Sequence, residues 1–356
     1  MIVIGVDPHK GTHTAVAVDG ASARPRAERT ARARHDGFGE LVGWARELDL
    51  ERVWALEDCR HVSGGLERFL LAHGETVIRI SPQLMGDARR GQARERGKSD
   101  PIDALAVARI AVRDGIDAFP SARLAGPELE LRLLHDHRAR LVADRTGLIN
   151  DLRWHVFDLW PDYEIAPRSL GLLVHQQRLA RRLAAAGQSA RVRVARDELR
   201  RIRELTRAIN ALERELAGLV ARTAPALAAD RGSGPILTAA FVGEIAGITR
   251  FATPAKLARA AGAAPVPVWS GHNNGRLRLD IGGNRRLNHA LHLYALSRIR
   301  HDPATAAYIT KQRARGKTNK EAIRLLKRHL VNRVWRLLQA DAQPQPRTIT
   351  CGPNLT

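Results

Sequence analysis

Apolar runs near the start of the chain alternate with amphipathic segments. Four runs have the composition of buried strands: Ile2 to Val6, Thr14 to Val18, 52–56 and 76–80. The polar, Arg-rich stretch 24–33 can pair beside them as an edge strand. Apolar residues at helical spacing predict helices over 38–48 and 66–72. The order β-β-β-α-β-α-β predicts one mixed sheet with helices packed on it.

The middle of the chain, from about 125 to 225, has a helical pattern almost throughout. Apolar residues there step by three and four, as in the seam of a coiled coil: Ile202, Leu205, Ile209, Leu212, Leu216 and Leu219. An earlier heptad run contains Leu134, Leu141 and Leu148. We predict a long helical hairpin with a coiled-coil seam, and two helices of a compact bundle are the alternative.

The last third of the chain predicts a compact α-helical domain over 231–338, interrupted by a loop from Pro265 to Gly283. Residues 339–356 lack periodicity and predict a disordered tail. The sequence therefore divides into an α/β domain (1–120), a helical hairpin (121–230), the helical domain and the tail.

Charge is distributed unevenly along the 356 residues, whose formal net charge is +21. Lys and Arg number 18 against 18 Asp and Glu in residues 1–120, 19 against 14 in 121–230, and 21 against 5 in 231–356. The resulting excess of +16 in the last segment predicts a phosphate backbone as its partner. Without a long apolar run or a signal peptide, the sequence predicts a cytoplasmic protein that does not bind membranes. Its two cysteines, Cys59 and Cys351, do not suggest a disulfide framework.

Four carboxylates in the neutral α/β domain have a pattern that suits divalent metal ions. Asp7 and Glu57 each end an apolar strand, and Asp100 and Asp103 lie three residues apart at the start of a helix. Oxygen ligands converging in this way bind hard cations and serve phosphoryl transfer. Helix capping is the alternative for the pair, with Asp100 as N-cap, Pro101 at the first helical position and Asp103 at the third.

A serine and several basic residues are candidates for contact with nucleic acid in the last third of the chain. Ser270 precedes Gly271 in a loop, where serine is usually a turn residue, and His272 is close enough to assist it. Asn284, Arg285 and Arg286 open a helix that would aim amides and guanidinium groups at phosphate. The other basic candidates follow the serine or form a later cluster: Arg276, Arg278, Lys311, Arg313, Arg315, Lys317 and Lys320.

Five short motifs together resemble the insertion-sequence one-ten family of bacterial transposases. They are Ile-Gly-Val-Asp-Pro-His-Lys (4–10), Ala-Leu-Glu-Asp (55–58), Lys-Ser-Asp-Pro-Ile-Asp-Ala (98–104), Trp-Ser-Gly-His (269–272) and Gly-Gly-Asn-Arg-Arg-Leu (282–287). The resemblance spans roughly residues 1–338, and the combination is far more specific than any single motif. It implies a RuvC-like domain of RNase H fold followed by a small C-terminal transposase domain.

The resemblance also implies a chemistry and a set of partners. The family's acidic quartet corresponds to Asp7, Glu57, Asp100 and Asp103, which would hold Mg²⁺, and its nucleophilic serine corresponds to Ser270. The expected partners are donor and target DNA, a structured noncoding bridge RNA that pairs with both, and further copies of the chain in dimers and a tetramer.

Two other functions remain open at the level of sequence. A RuvC-like structure-specific endonuclease would use water as the nucleophile and leave Ser270 structural. A non-catalytic nucleic-acid-binding protein would keep the basic domain and use the acids only as caps.

Overall fold

The computed structural model describes residues 1–57, 60–80, 84–85, 99–119, 121–122, 126–268, 276–279 and 283–342. Ser270, His272 and the stretch 343–356 lie outside these ranges. Within the described ranges, no helix is both long enough and apolar enough to span a membrane.

A mixed five-stranded sheet forms the N-terminal part, as the sequence predicts. Its strands are β1 (Ile2–Pro8), β2 (Thr12–Asp19), β3 (Pro25–Arg32), β4 (Arg52–Glu57) and β5 (Thr76–Ile80). The order across the sheet is β3-β2-β1-β4-β5, with β1 to β3 antiparallel and β1, β4 and β5 parallel. The polar stretch pairs at the edge, as expected, while the apolar strands β1 and β4 lie at the centre.

Helices cover the two faces of this sheet. Helices α1 (His35–Leu48) and α2 (Arg60–Ala72) share one apolar cluster with Ile2, Ile4 and Val6. Helix α3 (Asp100–Asp114) covers the other face. Because side chains alternate along a strand, consecutive residues of β1 contribute to opposite layers.

Two long helices, α4 (Pro127–Leu159) and α6 (Ala190–Thr223), pack against each other, and α5 (Leu173–Ala185) packs between their far ends. The buried stripe of α6 differs from the predicted seam, because Thr206 and Val220 are buried where Leu205 and Leu219 are only half-buried. Thr206 tolerates burial because its hydroxyl donates to the Ile202 carbonyl (2.7 Å) and accepts from Gln176 (2.9 Å).

The C-terminal part is mainly helical. Its helices are α7 (Pro225–Ala229), α8 (Gly234–Ile245), α9 (Pro254–Ala260), α10 (Arg285–His301), α11 (Pro303–Ala314) and α12 (Asn319–Ala342). The predicted loop 265–283 instead contains an antiparallel pair, β6 (Pro265–Val268) and β7 (Arg276–Leu279).

Helix α12 continues to Ala342, although the sequence predicts a disordered tail from 339. The carboxylate of Asp341 accepts the backbone amides of Ala226 (2.8 Å) and Leu227 (3.3 Å) at the start of α7. The end of α12 is therefore held by a contact with a segment that lies far away in the sequence.

A buried ion-pair cluster joins α7, α10 and α12. Asp230 accepts from Arg298 (2.8 Å), from Arg333 (2.8 Å) and from the hydroxyl of Tyr294. Burial and the bond to Asp230 raise the pKa of Tyr294 to about 12. Burial opposes the charge on Asp230, but the Arg333 and Tyr294 hydrogen bonds hold the pKa of its carboxyl below the ordinary value. The cluster fixes the packing of these helices.

Candidate active site

Asp7 and Glu57 lie side by side at one edge of the sheet. Strands β1 and β4 are parallel and in register up to Val6 and Leu56, so the next residue in each is the acid. Alternation places both acids on the face covered by α3, with Val3 in the layer below. Asp7 is buried and Glu57 is half-buried.

A glycine lets α3 approach this edge closely. A Cβ atom at Gly5 would lie 2.1 Å from the Ala104 carbonyl oxygen and 2.5 Å from the Ala108 nitrogen. Only glycine fits there without displacing the helix. The first turn of α3, which contains Asp100 and Asp103, is thereby brought to the end of β1.

Asp7, His9 and Asp100 form the cluster at the centre of the site. Their potential ligand atoms all lie within 4.8 Å of one another. His9 Nε2 lies 3.1 Å from Asp100 Oδ1 and 3.6 Å from Asp7 Oδ2. Among the described residues, Glu57 and Asp103 fall outside this group, although Asp103 is buried one helical turn beyond Asp100. This group thus contains two of the four predicted carboxylates, and the other two lie at the neighbouring strand end and in the same turn of α3.

His9 is a site residue that the sequence analysis missed. Its Nδ1 must donate to the Pro8 carbonyl (3.2 Å), which can only accept, so Nε2 is the nitrogen that faces the two acids. The hydrogen bond with Asp100 and the charge of Asp7 raise the pKa of His9 above its ordinary value, although partial burial acts in the opposite direction. Its position two residues after Asp7, directly beyond the end of β1, is the signal that could have revealed it.

The capping alternative for Asp100 is wrong in its details. The N-cap position of α3 belongs to Ser99, whose side chain makes no capping bond, and Asp100 is the first helical residue. The Asp100 carboxylate contacts His9 across 91 positions of sequence. This long-range contact is one that helix capping alone does not explain.

Asn284 and Arg286 make contacts within the protein at the start of α10. The side-chain oxygen of Asn284 accepts the amides of Arg286 (2.9 Å) and Leu287 (3.0 Å), so two amides that we expected to face phosphate are already bonded. Arg286 forms ion pairs with Asp136 of α4 and with Glu244 of α8. The distance from Arg286 Nε to Glu244 Oε1 is 2.9 Å. Arg285 is exposed beside them.

The segment that carries Ser270 is closed at its base. A Cβ atom at Gly283 would lie 2.1 Å from the Gly262 nitrogen, so the two ends of the segment cross in direct backbone contact. Asn288 donates to the carbonyls of Ala261 (2.8 Å) and Gly262 (2.9 Å). Lys327 donates to Asn288 in turn, and burial together with the charge of Arg324 lowers its pKa to about 8. The sequence analysis missed this role of Asn288 and Lys327, for which no local pattern exists.

The remaining basic candidates fall into two sets. The backbone of Arg276 and Arg278 lies in β7, opposite β6. Five others are exposed around the turn between α11 and α12: Lys311, Arg313, Arg315, Lys317 and Lys320. The structure thus places one candidate set on β7 and another at a helix turn.

A mixed sheet with an acidic cluster at the end of its central strands defines the class of DEDD nuclease-like α/β domains. Residues 4–161 match the family described as Transposase (DEDD_Tnp_IS110), and residues 224–310 match the Transposase IS116/IS110/IS902 family. The chain belongs to the IS110 family of transposases, and it is therefore a DNA-processing enzyme whose general reaction is phosphoryl transfer.

Relatives from three insertion elements support the assignment. The chain is 29% identical over 400 residues to the insertion element IS116 uncharacterized 44.8 kDa protein of Streptomyces clavuligerus, covering 100% of this chain and 98% of the relative. It is 29% identical over 395 residues to the IS900 uncharacterized 42 kDa protein of Mycobacterium paratuberculosis, covering 98% of each. The chain is also similar to the insertion element IS110 uncharacterized 43.6 kDa protein of Streptomyces coelicolor. The two are 35% identical over 115 residues, which cover 32% of this chain and 28% of the relative.

Proposed function

We propose that this transposase cleaves and rejoins DNA with a divalent-metal site in residues 1–120 and a serine nucleophile in residues 231–338, the helical hairpin 121–230 lying between them. The observation that carries the proposal is the convergence of Asp7, His9 and Asp100 at the carboxyl edge of the sheet. Carboxylates from two separate elements repel each other, and a divalent cation bound between them would compensate that repulsion more strongly than the single charge of a protonated His9.

The donor set suits a hard divalent cation such as Mg²⁺. Asp7 and Asp100 offer carboxylate oxygens within reach of one ion, Glu57 ends the neighbouring strand β4, and Asp103 shares the first turn of α3 with Asp100. His9 offers a nitrogen, which softer divalent ions such as Mn²⁺ accept more readily than Mg²⁺. A bound cation would polarise the scissile phosphate and neutralise the charge that develops there.

Ser270 supplies the nucleophile in this proposal. Its hydroxyl oxygen attacks phosphorus, its proton passes to a carboxylate of the site, and the departing deoxyribose oxygen takes up a proton. One phosphoester bond forms as another breaks, so the DNA stays linked to the serine and the energy of the bond is kept for rejoining. Basic residues near the serine, Arg276 and Arg278 among them, would balance the charge.

A bridge RNA would select the DNA sites, and dimers and a tetramer would assemble through the helical hairpin. The charge distribution supports an RNA guide, because a segment of net charge +16 suits phosphate backbones more than base edges. Base pairing would then supply the sequence specificity that side chains do not.

Trapping of a covalent adduct tests the nucleophile. The full chain is incubated with DNA of the insertion-sequence ends, Mg²⁺ and the noncoding RNA transcribed from the flanking DNA, and then run on a denaturing gel. We expect a protein–DNA adduct that is absent from Ser270→Ala and present in the control Ser297→Ala, a serine of α10. An adduct of unchanged yield in Ser270→Ala would exclude this serine. Cleavage without any adduct would favour an endonuclease that uses water.

Omission of the RNA tests the guide. Site-specific recombination should require the RNA, and exchange of its loop sequences should redirect the DNA site. Without RNA, binding should be sequence-poor and should weaken on the order of 10³-fold between about 50 and 200 mM salt if six or more phosphates are contacted. Site-specific recombination without RNA would show that side chains read the bases directly.

A further inference from the structure

A polar row extends from the candidate site to the open edge of the sheet. Asp7 pairs with Thr14 of β2, and Thr14 pairs with Thr30 of β3. Residues directly opposite in antiparallel strands point to the same face, so all three lie on the side covered by α3. The pair Thr12 and Arg32 continues this face one row further, at the start of β2 and the end of β3.

The β3 end of this row is open to solvent. Thr14 is buried and its hydroxyl lies 2.9 Å from that of Thr30, whereas Thr30 and Arg32 are exposed. The apolar cluster beneath α3 includes Val16 and Val18 of β2 but no residue of β3. Helix α3 therefore covers the central strands and leaves the β3 part of this face accessible beside the acidic cluster.

The charge of this edge differs from that of the sheet around it. Residues 24–34 contain five arginines, Arg24, Arg26, Arg29, Arg32 and Arg34, and one acid, Glu28. The rest of residues 1–120 has 13 basic and 17 acidic side chains, so the neutral total conceals a basic edge. Charges of either sign protect an edge strand from aggregation, so edge protection alone does not require an arginine excess.

We propose that the β3 face formed by Thr30 and Arg32 binds the phosphodiester backbone of the DNA strand whose scissile phosphate enters the Asp7–Asp100 site. Arg32 would pair with one phosphate, and the Thr30 hydroxyl would donate to the same or the next. Two strand spacings, about 10 Å, separate Thr30 from Asp7, so a strand bound at this edge lies within a few nucleotides of the cluster. The inference rests on the proposed function, since it assigns the path of that substrate.

Arg29 provides a matched control for Arg32. Both are exposed arginines of β3, but Arg29 pairs with Ala15, whose side chain belongs to the apolar layer on the opposite face. Arg32→Gln and Arg29→Gln therefore remove the same charge from the same strand on opposite sides of the sheet. Thr30→Val tests the hydroxyl with little change of shape.

The test measures binding of a labelled DNA duplex to the full-length variants without divalent metal, as a function of salt. Arg32→Gln should reduce the slope of log affinity against log salt by about 0.9, the loss of one phosphate contact. Arg29→Gln should keep the wild-type slope, and Thr30→Val should weaken binding a few-fold. With metal and RNA present, Arg32→Gln should raise KM and leave kcat nearly unchanged.

The outcomes separate this inference from the proposed function. If the wild type cleaves DNA and the two arginine variants have equal slopes, the β3 path is wrong and the function stands. If the wild type does not cleave DNA and only Arg32→Gln has the reduced slope, DNA binding by the β3 face is supported and the proposed cleavage activity is contradicted. If Arg32→Gln weakens binding of an RNA of the same sequence and leaves DNA binding unchanged, the surface binds RNA and the proposal is overturned.

Discussion

Two buried aspartates occupy opposite electrostatic surroundings. Asp230, 9% exposed, contacts two arginines and a tyrosine hydroxyl. Asp7, 5% exposed, lies within a cluster that contains a second carboxylate and a histidine. Both acids are removed from water to a similar degree, but Asp230 lies against two arginines, whereas Asp7 shares its surroundings with Asp100 and His9.

The difference separates a structural acid from a candidate catalytic one. A buried carboxylate that pairs with guanidinium groups is compensated within the fold, and its role is to fix helix packing. A buried carboxylate grouped with a second carboxylate and a histidine instead has the donor atoms that a divalent metal ion takes as ligands. The exposed fractions of the two side chains alone would not have distinguished these roles.

Removal of charge from the acidic cluster should have the largest effect on activity. Asp7→Asn keeps the side-chain shape and weakens metal binding, so DNA cleavage should fall by about 10³-fold or more, which corresponds to several kcal/mol of lost charge stabilisation. Circular dichroism should show an unchanged fold. Calorimetric titration with Mn²⁺ checks the cause, because an inactive variant with wild-type metal affinity would contradict the assignment.

Asp230→Asn should lower stability and leave activity nearly unchanged, the opposite of Asp7→Asn. It leaves Arg298 and Arg333 without their carboxylate, and loss of one partner from a buried pair destabilises a protein by about 3 kcal/mol or more. A urea titration should show this loss for the C-terminal part. Activity per folded molecule should stay near the wild-type value, and a selective loss of cleavage would break the distinction between the two acids.

Acidification should destabilise the N-terminal sheet through protonation of His13 before it affects the Asp230 cluster. This residue is fully buried on the sheet face opposite Asp7, stacked on Phe38 with ring centroids 5.5 Å apart. Burial, aided by the charge of His9, lowers the pKa of His13 to about 4 from 6.5.

Because the unfolded chain binds this proton more readily, stability is complete above pH 6.5 and falls as the pH decreases toward 4, by about 3 kcal/mol. The Asp230 cluster keeps its charge in that window, because the pKa of its carboxyl is lowered and its contribution is lost only at more acidic pH. Urea titrations at pH 7 and 5 should show a loss that His13→Met removes. An equal pH dependence in His13→Met would show that other groups are responsible.

The smallest effect is expected at the start of α3. Ser99→Ala should change stability by less than about 0.5 kcal/mol, because the Ser99 side chain makes no capping bond. Asp100→Asn should preserve stability as well but lower metal affinity. A destabilisation of about 1 kcal/mol or more in Ser99→Ala would show that the Ser99 side chain caps α3.

The strands of the N-terminal sheet were predictable because their signal is local. Uninterrupted apolar runs over β1 and β4 indicate strands buried on both faces, and the polar pattern of β3 indicates an edge. The end of α12 was not predictable, since its stabilising contact joins Asp341 to residues 115 positions earlier. The β6–β7 pair was missed because its four-residue strands are too short to show a period.

The candidate site was predictable to the extent that its residues end recognisable elements. Asp7 and Asp100 follow from the end of a strand and the start of a helix. His9 and the Asn288–Lys327 support did not follow, because their partners are set by tertiary packing. The excess of arginine on β3 was visible in the sequence, but its position on the site face depends on strand register, which one residue of slip would reverse.

The crossing of Gly262 and Gly283 has a consequence for how the protein can vary. Because the backbone is pinned at both positions, the chain between them is a closed insert whose ends do not move when its length changes. Doubling the length of such an insert costs only about 0.6 kcal/mol of closure entropy. A change of length between the two glycines should therefore leave the flanking helices α9 and α10 in place, which makes this segment a natural point for engineering.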